Sequence, residues 1–300
     1  MYKVGTGSVL RTADTDQYGA GQLDRVSSVD YRGRRFADRI RRRASRKDFA
    51  NEMLYVKAKI TRADGTNLTV DSPIGPSNLF LHSLFSQVDI SLNGTLITAS
   101  TNTYPYRVMT ETLLSYGEDA KRTQLTFALF YKDRTGRMDS VDLADNAAND
   151  GLVKRRALGL DSRTFDMMGR LHADIFLQDR YMINEVGVKI KLTRIRDDFC
   201  LTGAMVGTVQ MIVQASMFVR KVKRMPSVFL AHAKTLERSP VKYPICRVVC
   251  KSFTIPQNYI DVSHEKLFSG QLPTRIVIRL VNAHTTAIVR GIPSISNTLI

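Results

Sequence analysis

Phe85–Thr98 reads FSQVDISLNGTLIT. Val88, Ile90 and Leu92 alternate with polar neighbours, the two-residue period of a half-buried strand. Asn93-Gly94 follows, a pair suited to the two positive φ angles of a tight hairpin turn. Thr95–Thr98 returns, so the stretch predicts a β-hairpin. Upstream, Met53–Val70 (MLYVKAKITRADGTNLTV) places Leu54, Val56, Ala58 and Ile60 on one face and Tyr55, Lys57, Lys59 and Thr61 on the other. Asp64-Gly65 supplies a turn, and Asn67–Val70 is expected to return beside the first strand. Downstream, FDMMGRLHADIF, EVGVKIKLTRI and GTVQMIVQASMFVRKV read as strands from Phe165, Glu185 and Gly207. Val186, Val188, Ile190 and Leu192 share one face, with Lys189 and Lys191 opposite. VKYPICRVVCKSFTIP and TRIVIRLVN, from Val241 and Thr274, add two more expected strands.

Helical signals fall between these runs. Thr103 is placed to cap, Pro105 sits in a first turn, and YRVMTETLLSY ends before Gly117. The following EDAKRTQLTFALFYK reads as a second short helix or an irregular segment. Asp150–Leu158 reads as a third helix. Many strands, few helices and long excursions between strands give a mainly β fold, a jelly-roll β-sandwich with short helices in the long inter-strand loops.

The chain has 300 residues, 44 Lys+Arg against 28 Asp+Glu, and a formal net charge of +16. Two segments hold the whole excess. Arg32–Lys47 contains nine basic residues and one acid, Asp38; Arg220–Lys251 contains nine and one, Glu237. The rest of the chain is electrically balanced, so any electrostatic role belongs to those two places. The first run, RGRRFADRIRRRASRK, reads as part of a weakly ordered arm over residues 1–47. Such an arm suits phosphate neutralisation, a nuclear-import signal or contact with a partner protein. Its cation cluster is Arg34, Arg35, Arg41, Arg42, Arg43, Arg46 and Lys47. The second run is interleaved with apolar residues and punctuated by Pro226, Pro240 and Pro244, as expected of a strand end, a linker and a new strand.

Nothing in the sequence favours catalysis. The histidines (His82, His172, His232, His264 and His284) are scattered and form no metal-binding motif. His82 and His172 read as packed or surface histidines. No nucleophile elbow, phosphate loop or dinucleotide fingerprint is present. Asp197–Asp198 reads as a turn rather than as a general-acid pair. The expectation is no enzyme activity and no cofactor. Cys200, Cys246 and Cys250 are too few for a disulfide framework and suggest a reducing compartment. On a strand Cys246 and Cys250 would stand about 13 Å apart, too far for one bridge or one metal, and they read as buried thiols. No apolar run approaches the roughly 20 residues of a membrane helix, and the N-terminus lacks a secretory signal.

Three long blocks carry a resemblance: Ser77–Asp133, Phe176–Arg194 (FLQDRYMINEVGVKIKLTR) and Val241–Ile278 (VKYPICRVVCKSFTIPQNYIDVSHEKLFSGQLPTRIVI). Together they resemble the major capsid proteins of Polinton/Maverick elements and adintoviruses. The resemblance covers about Asp48–Leu280. It implies a double jelly-roll, with two eight-stranded rolls side by side and three chains forming a pseudo-hexagonal capsomer of an icosahedral shell. On that reading residues 48–224 are the first roll, 225–240 a linker, and 241–300 the incomplete start of a second roll. The implied partners are the homotrimer, neighbouring capsomers and a minor capsid (penton) protein, with non-specific DNA contact through the arm and no membrane. The implied location is the virion, with host nucleus or cytoplasm before assembly. The last residues, VNAHTTAIVRGIPSISNTLI, depart from the family pattern, so the chain reads as a C-terminally truncated genome-integrated copy that does not assemble normal capsids alone. The alternative is a host-retained basic nuclear or DNA-binding protein derived from such a gene.

Overall fold

The alternation in Met53–Ile60 becomes burial as expected. Leu54, Val56, Ala58 and Ile60 are buried, and Tyr55, Lys57 and Lys59 are only partly covered, while Thr61, expected beside them, is buried. A computed structural model of the protein describes residues 22–31, 35–40, 46–98, 100–138, 140, 148–178, 180–183, 186–203, 209–222, 225–255, 263, 264, 267 and 272–279. For residues 22–51, 209–212 and 220–222 it describes the backbone alone.

The strands are β1 (Gln22–Tyr31), β2 (Arg35–Ile40), β3 (Arg46–Arg62), β4 (Ile74–Pro76), β5 (Phe85–Leu92), β6 (Thr95–Leu96), β7 (Phe165–Gly169), β8 (Val188–Arg194), β9 (Leu201–Gly203) and β10 (Val209–Val222). The helices are α1 (Phe80–Ser83), α2 (Tyr104–Ser115), α3 (Glu118–Arg122), α4 (Asp150–Leu158), α5 (Asp197–Cys200) and α6 (Pro226–Arg238). Two four-stranded antiparallel sheets, ordered β1-β10-β3-β7 and β2-β8-β5-β6, carry the architecture, and β4 and β9 form a small third sheet.

The order decides the fold. Taken along the chain, the eight strands of the two large sheets are β1, β2, β3, β5, β6, β7, β8 and β10. The first then pairs with the last, the second with the seventh, the third with the sixth and the fourth with the fifth. A long antiparallel ribbon of four strand pairs has wrapped on itself, which is the two-Greek-key path of a jelly roll. Apolar residues of both sheets meet in one core: Leu54, Val56, Phe165, Met167, Val213 and Val219 from one, Val88, Ile90, Val188, Ile190 and Leu192 from the other. Helices α2, α3 and α4 lie in the long β6–β7 connection.

The Asn93-Gly94 turn forms as expected, with φ of 48° and 91° joining β5 to β6. Pro105 lies in the first turn of α2, but the Thr103 side chain does not cap it; its hydroxyl donates to the Cys250 carbonyl instead, at 3.2 Å. Asp150–Leu158 is a helix, capped by the Asn149 side chain.

Four expectations need correction. Asn67–Val70 does not return beside β3: the Asp64-Gly65 turn closes, with Arg62 N–H donating to the Thr66 carbonyl at 2.9 Å, but Leu68 N–H then donates to Ser162 Oγ at 2.7 Å. Residues 22–31 and 35–40, expected in a weakly ordered arm, are β1 and β2, the first two strands of the roll. Their own alternation is weak, and pairing to β10 and β8 supplies the order. The 225–240 linker contains a thirteen-residue helix, α6. Beyond it, no strand occurs among the described residues of 241–279: alternation alone does not make a strand without a ladder partner.

Candidate functional site

The candidate cations divide between described and undescribed positions. Arg34, Arg41, Arg42 and Arg43 lie outside the described residues. Arg35 opens β2, opposite Thr193. Arg46 and Lys47 open β3, opposite Val222 and Lys221 of β10, with Asp48 opposite Arg220. Leu23 and Gln22 of β1 stand against the same Arg220 and Lys221. The two basic segments, far apart in sequence, therefore meet at one end of one sheet. Charge counting along the chain locates both segments and has no means of joining them.

The remainder of the second run is spread out. Lys234 and Arg238 are exposed on α6. Lys242, Arg247 and Lys251 lie on an extended segment that crosses the roll beside α2, and Lys251 Nζ donates to the Leu267 carbonyl. This segment, residues 241–250, is held mainly through its backbone. Tyr243 is its buried anchor; the Tyr243 hydroxyl accepts from Ile183 N–H at 2.9 Å and donates to the Tyr181 carbonyl at 3.4 Å. Arg180 donates to the Lys242 carbonyl. Arg107 Nη1 donates to the Val248 carbonyl at 3.3 Å, while Val248 N–H donates to Asp174 Oδ2 at 3.3 Å. Arg107 and Asp174 are themselves an ion pair, so one pair clasps both polar groups of one residue.

Beneath that clasp lies a buried polar chain. Arg107 Nε donates to Glu111 Oε1 at 2.7 Å, and His172 Nδ1 lies 2.7 Å from Glu111 Oε2. The rings of His172 and His82 meet edge to face with centroids 5.0 Å apart. His82 Nδ1 is 3.1 Å from the Tyr104 hydroxyl, which also accepts from His172 N–H. Burial opposes charge on Glu111, but the His172 hydrogen bond and Arg107 outweigh it and hold the carboxyl below its ordinary range. An ionised carboxylate only accepts, so His172 Nδ1 carries the hydrogen. Burial, then neighbouring His172, holds His82 well below the usual histidine range. Both histidines are packed, as expected, but their meeting is not legible from positions ninety residues apart.

The cysteines are all free. Cys200 is buried, and burial pushes its thiol pKa up. Cys246 is exposed and Cys250 half-buried, contrary to the expectation of core thiols, because their segment lies on the surface of the roll. Asp197 and Asp198 open the short α5 and pair with Arg194 and Arg196, a local turn arrangement. Among the described residues no cluster of three or more His, Cys, Asp and Glu side chains is arranged to hold a metal ion. No helix among them is long and apolar enough to cross a membrane.

Apolar surface concentrates at one stage of the chain. No residue of α6 is buried, and Phe229 and Leu230 are 50% and 58% exposed. Val248, Val249, Phe253 and Ile255 follow, then Leu272, Ile276, Val277 and Ile278.

The fold defines a class: an eight-stranded jelly-roll β-sandwich. No protein-family model matches the chain. Among solved structures, a capsid chain of the Sputnik virophage superposes with a TM-score of 0.51 at 11% identity, over 75% of this chain and 51% of its own length. The PBCV-1 protein VP54 gives a TM-score of 0.38 at 13% identity, over 76% of this chain and 47% of its own, too distant to carry structural weight. In sequence, an uncharacterized protein of Caenorhabditis elegans is 22% identical over 236 residues, 75% of this chain and 53% of the relative. The chain spans about half the length of the proteins it matches.

Proposed function

We propose that the protein is a structural protein of an icosahedral capsid, the capsomer-forming major capsid protein of a Polinton- or adintovirus-like element. The observation that carries this reading is the strand order, with the complete set of eight strands wrapped in jelly-roll pairing. In this reading the first roll begins at Gln22 rather than Asp48, α6 is the linker, and residues from Val241 open a second roll. Three copies form a pseudo-hexagonal capsomer that meets its neighbours and a minor penton protein. The apolar residues of α6 and of 248–278 are contact surface within that assembly. The basic end of the sheet, with Arg46 and Lys47 beside Arg220 and Lys221, faces the genome at the inner side of the shell and binds DNA without reading sequence. No catalytic residue or cofactor enters the mechanism; the protein works by burying surface between copies, in virions and in the host cell that builds them.

Immuno-electron microscopy of cells expressing the parent gene tests this reading. Label on regular particles is the expected result. Label confined to chromatin, with no particles, overturns it in favour of a host-retained nuclear DNA-binding protein.

A further inference from the structure

The segment 241–250 is shallowly docked. Of its side chains only Tyr243 is buried, with Val241 and Ile245 packed partly buried against the core, and the clasp on Val248 is made by two side chains that depend on the polar chain below. Arg107 is oriented by Glu111, and Glu111 by His172. His172 and Asp174 lie two residues apart on the same connection after β7, so one short stretch of backbone carries both the ring bonded to Glu111 and the carboxylate paired with Arg107. His172 is packed edge-on against His82.

We propose that the buried His82–His172 pair is an acid-sensitive latch that holds residues 241–250 against the roll at neutral pH and releases them on acidification. The groups facing the pair come from every element around it. Tyr104, Arg107, Glu111 and Tyr116 lie on or beside α2, Asp174 on the turn after His172, and Glu52 of β3 acts electrostatically on Tyr104. Among the described residues the carboxylate bonded to an imidazole of the pair is Glu111, already shared with Arg107. A proton added to His82 therefore places charge beside His172 in a desolvated site whose one bonded carboxylate is already engaged. The ring pair must open, and the connection bearing His172 and Asp174 moves with it.

The sign follows from linkage. Once exposed, His82 titrates near 6.5, whereas in the closed form burial keeps it neutral to much lower pH. The open form binds the extra proton, so the latch is fully held above about pH 6.5 and weakens as pH falls below it, by at most about tenfold per pH unit for one proton. Protonation of Glu111, whose carboxyl is held below its ordinary range, acts in the same direction at lower pH still.

Hydrogen exchange of the full chain, expressed as protection factors to remove the intrinsic pH dependence, reads the latch directly. Between about pH 7.5 and 5.0 the peptide covering 241–250 is expected to lose protection by roughly tenfold or more, while peptides from β3 and β10 keep theirs. His82→Gln keeps a polar group beside Tyr104 and does not titrate; it should abolish the loss. Asp174→Asn weakens the clasp and should deprotect the segment already at about pH 7.5, with β10 unaffected. Constant protection of 241–250 in the wild type, a loss shared equally by β3 and β10, or a full pH response in His82→Gln would each overturn the proposal.

Discussion

Arg155 shows how a single charge is made tolerable inside the roll. It lies on α4, nearly fully buried, and its guanidinium spends every face: Nε donates to the Pro76 carbonyl at 2.9 Å, Nη1 to the Tyr131 carbonyl at 3.1 Å, and Nη2 to Asp133 Oδ1 at 3.0 Å. Asn78 donates to the other oxygen of Asp133 at 3.0 Å. The group ties α4 to β4 and to the strandless run after residue 128, three places that no periodicity connects. Removing one partner from a buried pair leaves the other charge uncompensated. Arg155→Ala should therefore cost about 3 kcal/mol, read as a lowered denaturant midpoint at unchanged slope. A loss of under ~0.5 kcal/mol, the level of an ordinary surface substitution, would show that the pair is not desolvated. In the sequence Arg155 is one of three consecutive cationic residues on a predicted helix, and which of them turns inward depends on what the helix packs against.

Pairing at the element scale joins strands that are distant in the chain. β3 carries the alternation of half a hairpin, but its neighbours are β10 and β7, strands distant in the chain. Both turns form, but only Asn93-Gly94 leads into a paired strand, β6; after Asp64-Gly65 the chain leaves β3. The small β4–β9 sheet depends on a missing side chain. Gly203 has φ of 154°, and a Cβ there would stand 2.1 Å from the Pro73 carbonyl oxygen and 2.9 Å from Ile74 Cα. Backbone cannot yield as a side-chain tip does. Gly203→Ala is expected to cost about 2 kcal/mol by urea denaturation, while Gly117→Ala, which meets open space, should stay within about 0.5 kcal/mol. Equal effects at the two glycines would refute the close-approach account.

For the whole molecule, the strand order changes how the charge is to be tested. Deleting residues 1–47 would remove β1 and β2, and with them an edge of each large sheet, so weakened DNA retention would report unfolding as readily as missing cations. The informative variant replaces charges and leaves the strands. Substituting Gln for Arg34, Arg35, Arg41, Arg42, Arg43, Arg46 and Lys47 should abolish retention on DNA at ~50 mM salt and flatten the salt dependence by about 0.9 in logarithmic slope for each phosphate no longer neutralised. Circular dichroism should stay unchanged. Retention equal to that of the wild type would remove the genome-facing role from this end of the sheet.

The amino-acid sequence by itself determined the local grammar. The burial faces of β3 and β8, the Asn93-Gly94 turn, the helices at 104–115 and 150–158, the jelly-roll class and the two basic segments were all legible. The local features depend on residues a few positions apart, where side-chain period and turn chemistry act, and the class on the number and spacing of the strand runs along the chain. Only the tertiary structure decided that Gln22–Tyr31 and Arg35–Ile40 are strands, that the basic segments share a sheet end, and that His82, His172, Glu111 and Arg107 form one chain under Val248. Those outcomes join residues far apart in the chain. A weakly patterned segment becomes a strand when a neighbouring edge has unpaired backbone groups to satisfy, and a scattered histidine gains its role from whatever the closed core places beside it.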